Sequence, residues 1–287
     1  MPELPEVETM VRGIRPHVIG RTVASMRACP CSCRPMSIEP ALSRIARRIQ
    51  GRTMTDVRRR AKRVLLVFEH GDVIAIEPRM TGLMLISDPP SREHLRVVWE
   101  FADPDAGPSL WFWDRRGLGT IRLYDPDECR RALDPPALGP DALEITTEEL
   151  AAACAGTKRA IKPALLDQKL VAGVGNLYAS EMLHIARIHP ERGANELNRR
   201  QIARLHQAMQ ELLREAIRYE GSTLGGGTYR NALNQDGSYQ NAHRVYAKAG
   251  ERCRSCGRGT IRRIVQTQRS TFFCPVCQRR SSVRRCG

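Results

Sequence analysis

The stretch "CRSCGRGTIRRIVQTQRSTFFCPVC", residues 253–277, holds two Cys-x-x-Cys pairs separated by 17 residues. Two pairs at this spacing are typical of tetrahedral Zn²⁺ ligation by four thiolates. The residues between the pairs have the pattern of a β-hairpin with Arg269 near its tip. We therefore predict a zinc finger that binds one Zn²⁺ ion. Because a site closed by four cysteines is structural, the ion should shape the hairpin and do no chemistry. The predicted ligands are Cys253, Cys256, Cys274 and Cys277.

This C-terminal segment is strongly basic. Residues 246–287 contain ten arginines and Lys248 against the single acid Glu251, for a net charge of +10. The whole chain carries +15. An excess of this size usually accompanies a polyanionic partner, so we expect nucleic acid rather than an untargeted basic surface. Arginine supplies 41 of the 46 basic residues, which makes each of the five lysines informative.

Length and composition limit the class of protein. The 287 residues can form two domains with separate cores. No apolar run approaches the ~20 residues of a membrane span, and the acidic start is no signal peptide, so we expect a soluble cytoplasmic protein. Six cysteines outside the finger show no disulfide framework. Among them, we interpret Cys29, Cys31 and Cys33 as incidental loop cysteines rather than a second metal site.

The chain begins "MPELPEVETM", residues 1–10. Removal of Met1 would leave Pro2 as an N-terminal secondary amine, which is chemically unlike any side chain. Apolar residues at positions 7, 10, 11 and 14 predict a helix over 5–15. The helix should end at Arg15, because Pro16 disfavours helical geometry in the residue before it.

Strands dominate the following segment. After a short helix over 41–50, the stretch "RVLLVFEHGDVIAIE", residues 63–77, predicts a hairpin that turns at 70–72. The stretches "LRVVWEF", "SLWFWD" and "GTIRLY" follow, separated by Pro, Gly and Asp turns. Short strands at this spacing indicate a β-sandwich or barrel.

The second half of the chain has helical periodicity. A Pro/Gly-rich connector at 133–143 is the best domain boundary, and an apolar stripe predicts a long helix over about 198–219. A mobile glycine-rich loop at 221–238 should follow it. We predict an N-terminal domain at 1–132, a linker at 133–145, a helical domain at 146–245 and the zinc finger at 246–287.

One segment of the helical domain, "KLVAGVGNLYASEMLHIARIHP", places two glycines between helical stretches. Asn176 follows Gly175 where a helix N-cap belongs. Such a turn exposes backbone N–H groups that bind phosphate well, although glycine turns between helices are also common without that role.

Together, "PELPEVE", the helix–turn–helix around Asn176 and the four-cysteine hairpin resemble the formamidopyrimidine-DNA glycosylase/endonuclease VIII family over the whole chain. The resemblance implies an α+β multidomain fold: an N-terminal β-sandwich with an N-terminal helix, a helix–two-turn–helix domain and a zinc finger. With leucine at position 4, the chain resembles the formamidopyrimidine branch of the family, because the endonuclease VIII branch typically has glycine there.

The resemblance also implies the chemistry. Pro2 would be the nucleophile that attacks C1′ of a damaged deoxynucleotide and forms an iminium with the opened sugar. Glu3 matches the family's acid/base residue and Glu6 a supporting carboxylate, although both also suit the positive end of a helix. Lys62, at the predicted start of a strand, matches a lysine that assists elimination; by spacing alone it is a solvated cation.

Further residues match the family's DNA contacts. Asn176 and Arg269 match residues that grip the phosphates flanking the flipped nucleotide, and Arg269 counts among the catalytic residues. Lys158 falls close to a DNA-contacting basic position. His94 lies near a DNA-contacting histidine and is equally compatible with an ordinary strand histidine.

Two short motifs concern the gap left by the extruded base. Met80, in "PRMTG", matches the residue that wedges into it. In "DRRGLG", Arg116 keeps the arginine that reaches the orphaned base, but Leu118 replaces the usual phenylalanine and cannot stack. Because of this departure, the resemblance does not fix the choice of opposite base.

The sequence thus predicts a monomeric, bifunctional DNA glycosylase and abasic-site lyase that removes oxidised purines, such as 8-oxoguanine and formamidopyrimidines, from duplex DNA. The alternatives are the same chemistry on oxidised pyrimidines, a non-catalytic damage-binding protein and a generic zinc-ribbon nucleic-acid binder. The last two leave Pro2, Glu3 and Lys62 unexplained.

Overall fold

The computed structural model describes residues 2–31, 33–223 and 229–280. The chain divides into two compact units that are each discontinuous in sequence. The first comprises Met1–Ala137 with Ala216–Gln240, and the second comprises Leu138–Glu215 with Asn241–Gly287. The domain boundaries predicted above follow chain order and stay predictions.

The first unit contains a four-stranded sheet of order β1-β7-β8-β6 and a five-stranded sheet of order β2-β9-β5-β4-β3. The predicted β-sandwich is confirmed. Neighbouring strands are antiparallel except for β2 and β9. The strands are β1 (Val23–Ala28), β2 (Ser37–Glu39), β3 (Met54–Arg60), β4 (Arg63–Phe68), β5 (Val73–Glu77), β6 (Gly82–Leu85), β7 (Leu95–Phe101), β8 (Leu110–Asp114) and β9 (Thr120–Tyr124).

Three helices accompany these sheets: α1 (Leu4–Val18), α2 (Leu42–Ile49) and α3 (Pro126–Leu133). The predicted stripe of α1 is fully buried in the core of the unit. Burial of such side chains stabilises the fold by about 1.5–3 kcal/mol each. The predicted helix over 41–50 and the predicted hairpin at 70–72 are confirmed by α2 and by the β4–β5 pair.

The end of α1 differs from the prediction, because the helix continues through Pro16 to Val18. Pro16 removes one backbone donor, but the last turn still closes through Ile19 N–H, which donates to Arg15 O at 3.3 Å. Val18 is fully buried in the sandwich core. Its packing outweighs the local preference against helix at the residue before a proline.

The second unit is mainly helical. It contains α4 (Thr147–Ala155), α5 (Ile161–Leu165), α6 (Asn176–Ile185) and most of α7 (Arg199–Arg218), followed by a hairpin of β10 (Arg262–Gln266) and β11 (Arg269–Phe273). The predicted long helix is α7, and its apolar stripe is buried as expected. The stripe consists of Ile202, Leu205, Met209, Leu212, Leu213 and Ala216.

The predicted mobile loop at 221–238 lies partly outside the described residues, which omit 224–228. Its described flank is packed into the first unit. Tyr229 is 2% exposed, and Ala232 O accepts a hydrogen bond from Ile86 N–H at 3.1 Å. Tyr229 and Ala232 therefore belong to the sandwich core, and the part of the segment that carries them is not a free loop.

The cysteines near residue 30 also differ from the prediction. Cys31 and Cys33 form a disulfide with Cα atoms 5.3 Å apart, a normal separation for such a bond. No disulfide was predicted among the six cysteines outside the finger, so this bridge within the loop is a finding of the structure. A Cys-x-Cys bridge closes within one loop, so it leaves none of the long-range spacing by which a disulfide framework is recognised.

No helix in the described part of the chain has the length and apolar character needed to cross a membrane.

Candidate functional site

The N-terminus of the first unit holds two of the predicted catalytic residues in buried positions. Pro2 is buried immediately before α1, and Glu3, at the N-cap of α1, is 3% exposed. Glu3 N–H donates to Glu6 Oε2 at 2.8 Å. The other oxygen of this carboxylate, Glu6 Oε1, accepts from Ser222 N–H at 2.9 Å. Glu6 thus connects the N-terminal residues to the second stretch of the first unit, Ala216–Gln240, and does more than neutralise the helix end.

Lys62 lies in the two-residue turn between β3 and β4 and not at the start of a strand as predicted. The preceding residue, Ala61, has a left-handed backbone with φ of 54°. This conformation ends the strand pairing at Arg60 and Arg63, so the lysine is presented at the tip of a hairpin. Glu77, at the end of β5, forms ion pairs of 3.0 Å with Arg63 and with Arg79.

One buried carboxylate fixes the two motifs predicted to fill the gap left by the extruded base, "PRMTG" and "DRRGLG". Asp114, which is 0% exposed, accepts hydrogen bonds from Gly119 N–H at 2.8 Å and Arg116 N–H at 3.2 Å. It also accepts from the hydroxyl of Thr81. Thr81 is the neighbour of Met80, whose side chain is 36% exposed. The loop that carries Arg116 and the turn that carries Met80 are therefore fixed to the same group.

Sequence reasoning did not single out Asp114 as a positioning residue. Its signal was available, because it is the acid that opens "DRRGLG". Leu118 in this motif is half-buried, whereas Arg116 is exposed.

His94 ends a single 3₁₀ turn just before β7. Its ring packs edge-on against Trp113 with centroids 5.5 Å apart, and Nδ1 lies 3.3 Å from Cys33 Sγ. Nε2 lies 3.0 Å from a carboxylate oxygen of Glu93. The side chain is 19% exposed, so the imidazole is held in one orientation at the surface of the first unit.

The second unit holds the predicted phosphate-binding residues. Asn176 is the first residue of α6, and Gly175 is its N-cap, so the prediction that Asn176 caps the helix is wrong. The Asn176 side chain is used elsewhere. Its Oδ1 accepts from Lys162 Nζ at 2.6 Å, and its Nδ2 donates to Ser270 O at 3.1 Å.

Lys162 connects these elements and was missed by sequence reasoning. Its side chain is 1% exposed, and Nζ also donates to Thr271 Oγ1 at 2.8 Å and Ser270 O at 3.2 Å. Since a buried cation is tolerated only with such partners, the lysine fixes both Asn176 and the start of β11. The sequence feature that could have identified Lys162 is the rarity of lysine in this arginine-rich chain.

We expect Lys162→Met to weaken binding to damaged and undamaged duplexes alike by at least about tenfold, because three acceptors lose a charged donor. Affinity measured by fluorescence anisotropy checks this. Lys169→Met removes the same charge from an exposed position and serves as the control. Equal losses in the two variants would show that Lys162 acts only through net charge.

Arg269 and Lys158 are both exposed. Arg269 is the first residue of β11, directly after Thr267 and Gln268, whose left-handed backbones form the hairpin tip. The predicted position of Arg269 near the tip is confirmed. Lys158 lies in the loop between α4 and α5.

The four predicted zinc ligands come together in the second unit. All four sulfur atoms lie within 4.8 Å of one another, and this is the only such ligand group among the residues that the structure describes. Cys253 Sγ and Cys277 Sγ are 3.8 Å apart, as are Cys256 Sγ and Cys274 Sγ. Zn–S bonds of about 2.3 Å in a tetrahedron require S···S distances of about 3.8 Å, so the cluster fits Zn²⁺.

The protonation of the cluster also suits a cation. Hydrogen bonds from the backbone N–H groups of Gly259 and Arg258 lower the pKa of Cys256 to about 6, which favours the thiolate. Burial raises the pKa of Cys274 and of Cys277, so these two need the positive charge of Zn²⁺ to ionise. Nε2 of His184 lies 3.6 Å from Cys253 Sγ, where an N–H group supports a metal-bound thiolate.

A buried carboxylate fixes the chain where it enters the finger. Glu181 on α6 is 0% exposed and accepts from three successive backbone N–H groups, those of Arg244, Val245 and Tyr246, at 2.9, 2.8 and 2.7 Å. Burial raises the pKa of Glu181, and the hydrogen bonds from the three donors offset part of that effect. No role was predicted for Glu181 from the sequence.

Three family models match the chain. They are the formamidopyrimidine-DNA glycosylase N-terminal domain at residues 1–121, the H2TH domain of the same enzyme at 137–226, and the zinc finger found in Fpg and an isoleucyl-tRNA synthetase at 250–280. A formamidopyrimidine-DNA glycosylase from Chloroflexus aurantiacus is 40% identical over 97% of this chain and 98% of its own length. The chain belongs to the formamidopyrimidine-DNA glycosylase family.

Solved structures of the family agree with this membership. A mutant of Lactococcus lactis Fpg bound to DNA that contains Fapy-dG is 32% identical, with a TM-score of 0.86 over 97% of this chain and all of that one. The wild-type Lactococcus lactis protein bound to DNA containing an oxidised pyrimidine gives a TM-score of 0.85 at 31% identity over the same shares.

Family membership establishes the general function. The chain is a DNA-binding glycosylase of DNA repair with a C-terminal zinc finger that holds one structural Zn²⁺. The predicted α+β architecture of sandwich, helix–two-turn–helix region and four-cysteine hairpin is confirmed.

Proposed function

We propose that this glycosylase excises oxidised purines, 8-oxoguanine and formamidopyrimidines, from duplex DNA and then cleaves the abasic strand as a lyase. The observation that carries the proposal is the buried N-terminal pair Pro2–Glu3, held by the carboxylate of Glu6. A protein that only binds damage needs neither an N-terminal secondary amine nor an adjacent buried acid.

In the proposed mechanism, the lone pair of the Pro2 nitrogen attacks C1′ of the damaged nucleotide. The glycosidic bond breaks, and the departing base takes the bonding electrons and a proton. Ring opening of the sugar gives an iminium between Pro2 and C1′. Loss of a proton from C2′ then expels the 3′ phosphate and cleaves the strand. Glu3 serves as acid and base on the sugar and leaving group, and Lys62 assists the elimination.

DNA contacts are proposed for both units. Asn176 and Arg269 grip the phosphates that flank the flipped nucleotide, and Lys162 keeps both in register. Lys158 and His94 contact the backbone further out. An exposed arginine at a hairpin tip suits this role, because its planar fork pairs with phosphate oxygens.

A separate group of residues is proposed to fill the space of the extruded base. Met80 wedges into the gap, Arg116 reaches the orphaned base, and Leu118 fills space without stacking. The buried carboxylate of Asp114 supports this assignment, since it anchors both segments. We propose that the enzyme acts as a monomer in the bacterial cytoplasm.

Oxidised pyrimidines are the second candidate substrate class. The Lactococcus lactis relative has been crystallised with DNA that contains one. Because the aliphatic Leu118 cannot stack on a base, the base opposite the lesion also has to be varied in the test.

Strand cleavage on a panel of duplexes, each with one lesion and one opposite base, tests the proposal. We expect nicking of duplexes with 8-oxoguanine or formamidopyrimidine to exceed that of duplexes with an oxidised pyrimidine. The reverse order would assign the chain to pyrimidine repair, and binding without any nicking would make it a damage-binding protein.

Glu3→Gln separates the two chemical steps. We expect this variant to bind lesion DNA normally but to release the base at least about 100-fold more slowly, because the leaving group loses its acid. Cleavage of a preformed abasic site should suffer less, since no base has to leave. Single-turnover rates on the two substrates check this. Equal slowing on both would show that Glu3 acts mainly on the sugar.

A further inference from the structure

A cavity of about 750 Å³ lies at the base of the zinc finger, at the end of the hairpin opposite its tip. The thiolate ligands Cys256 and Cys277 form part of its wall, together with the last turn of α6. Its volume lies within the range of small-molecule sites. Four arginines line it: Arg187, Arg244, Arg258 and Arg279.

The charge of this cavity is unbalanced. Among the residues that the structure describes, no aspartate or glutamate lines it. Arg244 lies 3.8 Å from Glu215, whereas the other three arginines form no ion pair within the described residues. The zinc cluster offsets part of the charge, since four thiolates and one Zn²⁺ sum to −2. An excess of positive charge remains around the cavity, and an anion bound there would reduce the repulsion among the guanidinium groups that line it.

The backbones that carry these arginines are fixed. Arg187 has a left-handed backbone with φ of 55°, and its N–H donates to His184 O at 3.1 Å. Arg244 N–H is held by the buried Glu181 carboxylate at 2.9 Å. Arg279 follows Gln278, which is 0% exposed and donates from Nε2 to Ile188 O at 2.8 Å. Separate segments with fixed backbones therefore carry the arginines that line one space, and three of these side chains, Arg187, Arg258 and Arg279, are exposed to solvent and open to a ligand.

This cavity is distinct from the proposed phosphate grip. Arg269 stands at the hairpin tip, and Cys274 directly follows the last residue of β11, five residues further along the chain. At about 3.4 Å per residue, the two ends are about 17 Å apart. One phosphate cannot contact both.

We infer that the cavity is a second phosphate-binding site, which takes the phosphate group of a nucleotide. Arginine forks match phosphate oxygens in pairs, and an anion there would relieve the repulsion among the four side chains. The phosphate comes either from a free nucleotide or from a DNA backbone. The inference goes beyond the proposed function, because it requires no chemistry at Pro2.

The test uses the zinc-loaded full chain and isothermal titration with dAMP, with deoxyadenosine as the phosphate-free control. We expect saturable binding of dAMP alone. The double variant Arg187→Gln/Arg258→Gln should weaken it at least about tenfold, because two charged hydrogen-bond donors are lost. The matched variant Arg200→Gln/Arg254→Gln removes two exposed arginines that do not line the cavity and should change the affinity less than about twofold.

A second arm identifies the source of the phosphate. If DNA occupies the cavity, the log–log salt slope of binding to an undamaged duplex should fall by about 2 in the cavity variant and stay unchanged in the control. An unchanged slope in both, with dAMP binding lost, assigns the site to free nucleotides. Equal dAMP affinities in the cavity variant and the control overturn the inference. Zinc content of one ion per chain in both variants shows that the finger is intact.

Discussion

Incubation with an 8-oxoguanine duplex and borohydride is expected to trap a covalent protein–DNA adduct on Pro2. Hydride reduces an iminium to a stable amine, so the adduct records the proposed intermediate. Peptide mapping should place the DNA on residue 2, with Met1 absent. A mapped adduct on Lys62, or no adduct with any oxidised purine or abasic site, would show that the proline mechanism is wrong for this chain.

One extra residue in front of Pro2 is the sharpest variant for this experiment. It converts the amine into an amide, which has no basic lone pair, while the side chains of Glu3 and Glu6 are unchanged. Trapping and strand cleavage should fall on the order of 10³-fold or more, as expected when a nucleophile is lost. Affinity for lesion DNA should persist. Lys62→Ala, which keeps the amine, should slow base excision and still permit trapping.

Cys274→Ser is expected to abolish zinc binding and to reduce affinity for DNA at least about 100-fold. Structural Zn²⁺ contributes about 10–16 kcal/mol to zinc-finger folding, and Cys274 is a fully buried ligand. Without the metal, the hairpin that presents Arg269 loses its base. Metal analysis and anisotropy with lesion DNA measure the two effects. Zinc at one per chain in the variant would contradict the four-cysteine site.

The chain contains a convenient internal control for this variant. All three tryptophans, Trp99, Trp111 and Trp113, lie on β7 and β8 of the sandwich. Tryptophan fluorescence therefore reports the first unit alone and should be unchanged in Cys274→Ser. Cys129→Ser, which alters a half-buried cysteine outside the cluster, should keep both zinc and DNA binding.

Features that depend on neighbours in sequence were predictable. The cysteine spacing gave the zinc ligands, alternating apolar residues gave the strands, and the stripe of α7 gave its buried face. In each case the physical cause acts over a few residues: ligand geometry, the pleat of a strand or the pitch of a helix.

Features that depend on distant partners were not. Lys162 bonds Ser270, 108 residues away, and Glu181 bonds Arg244, 63 residues away. The N-cap of α6 was wrongly predicted for the same reason. The Asn176 side chain forms hydrogen bonds with Lys162 and the hairpin, and Gly175 is the N-cap residue. The extension of α1 to Val18 likewise depends on packing in the sandwich core, which is formed by residues distant in sequence and cannot be predicted from local helix preferences.

The discontinuous first unit has a consequence for how the protein is made. Its core includes Tyr229 and Ala232, and Gly13 on α1 leaves room for no more than a hydrogen beside Ala232. A ribosome that adds about 5–20 residues per second needs roughly 5 to 20 s to pass from residue 137 to these positions. During that interval the nascent sandwich has an open seam, and Glu6 still lacks Ser222. The start of α1 is thus among the first parts of the chain to be synthesised, and the hydrogen bond from Ser222 to Glu6 is among the last of its contacts to form.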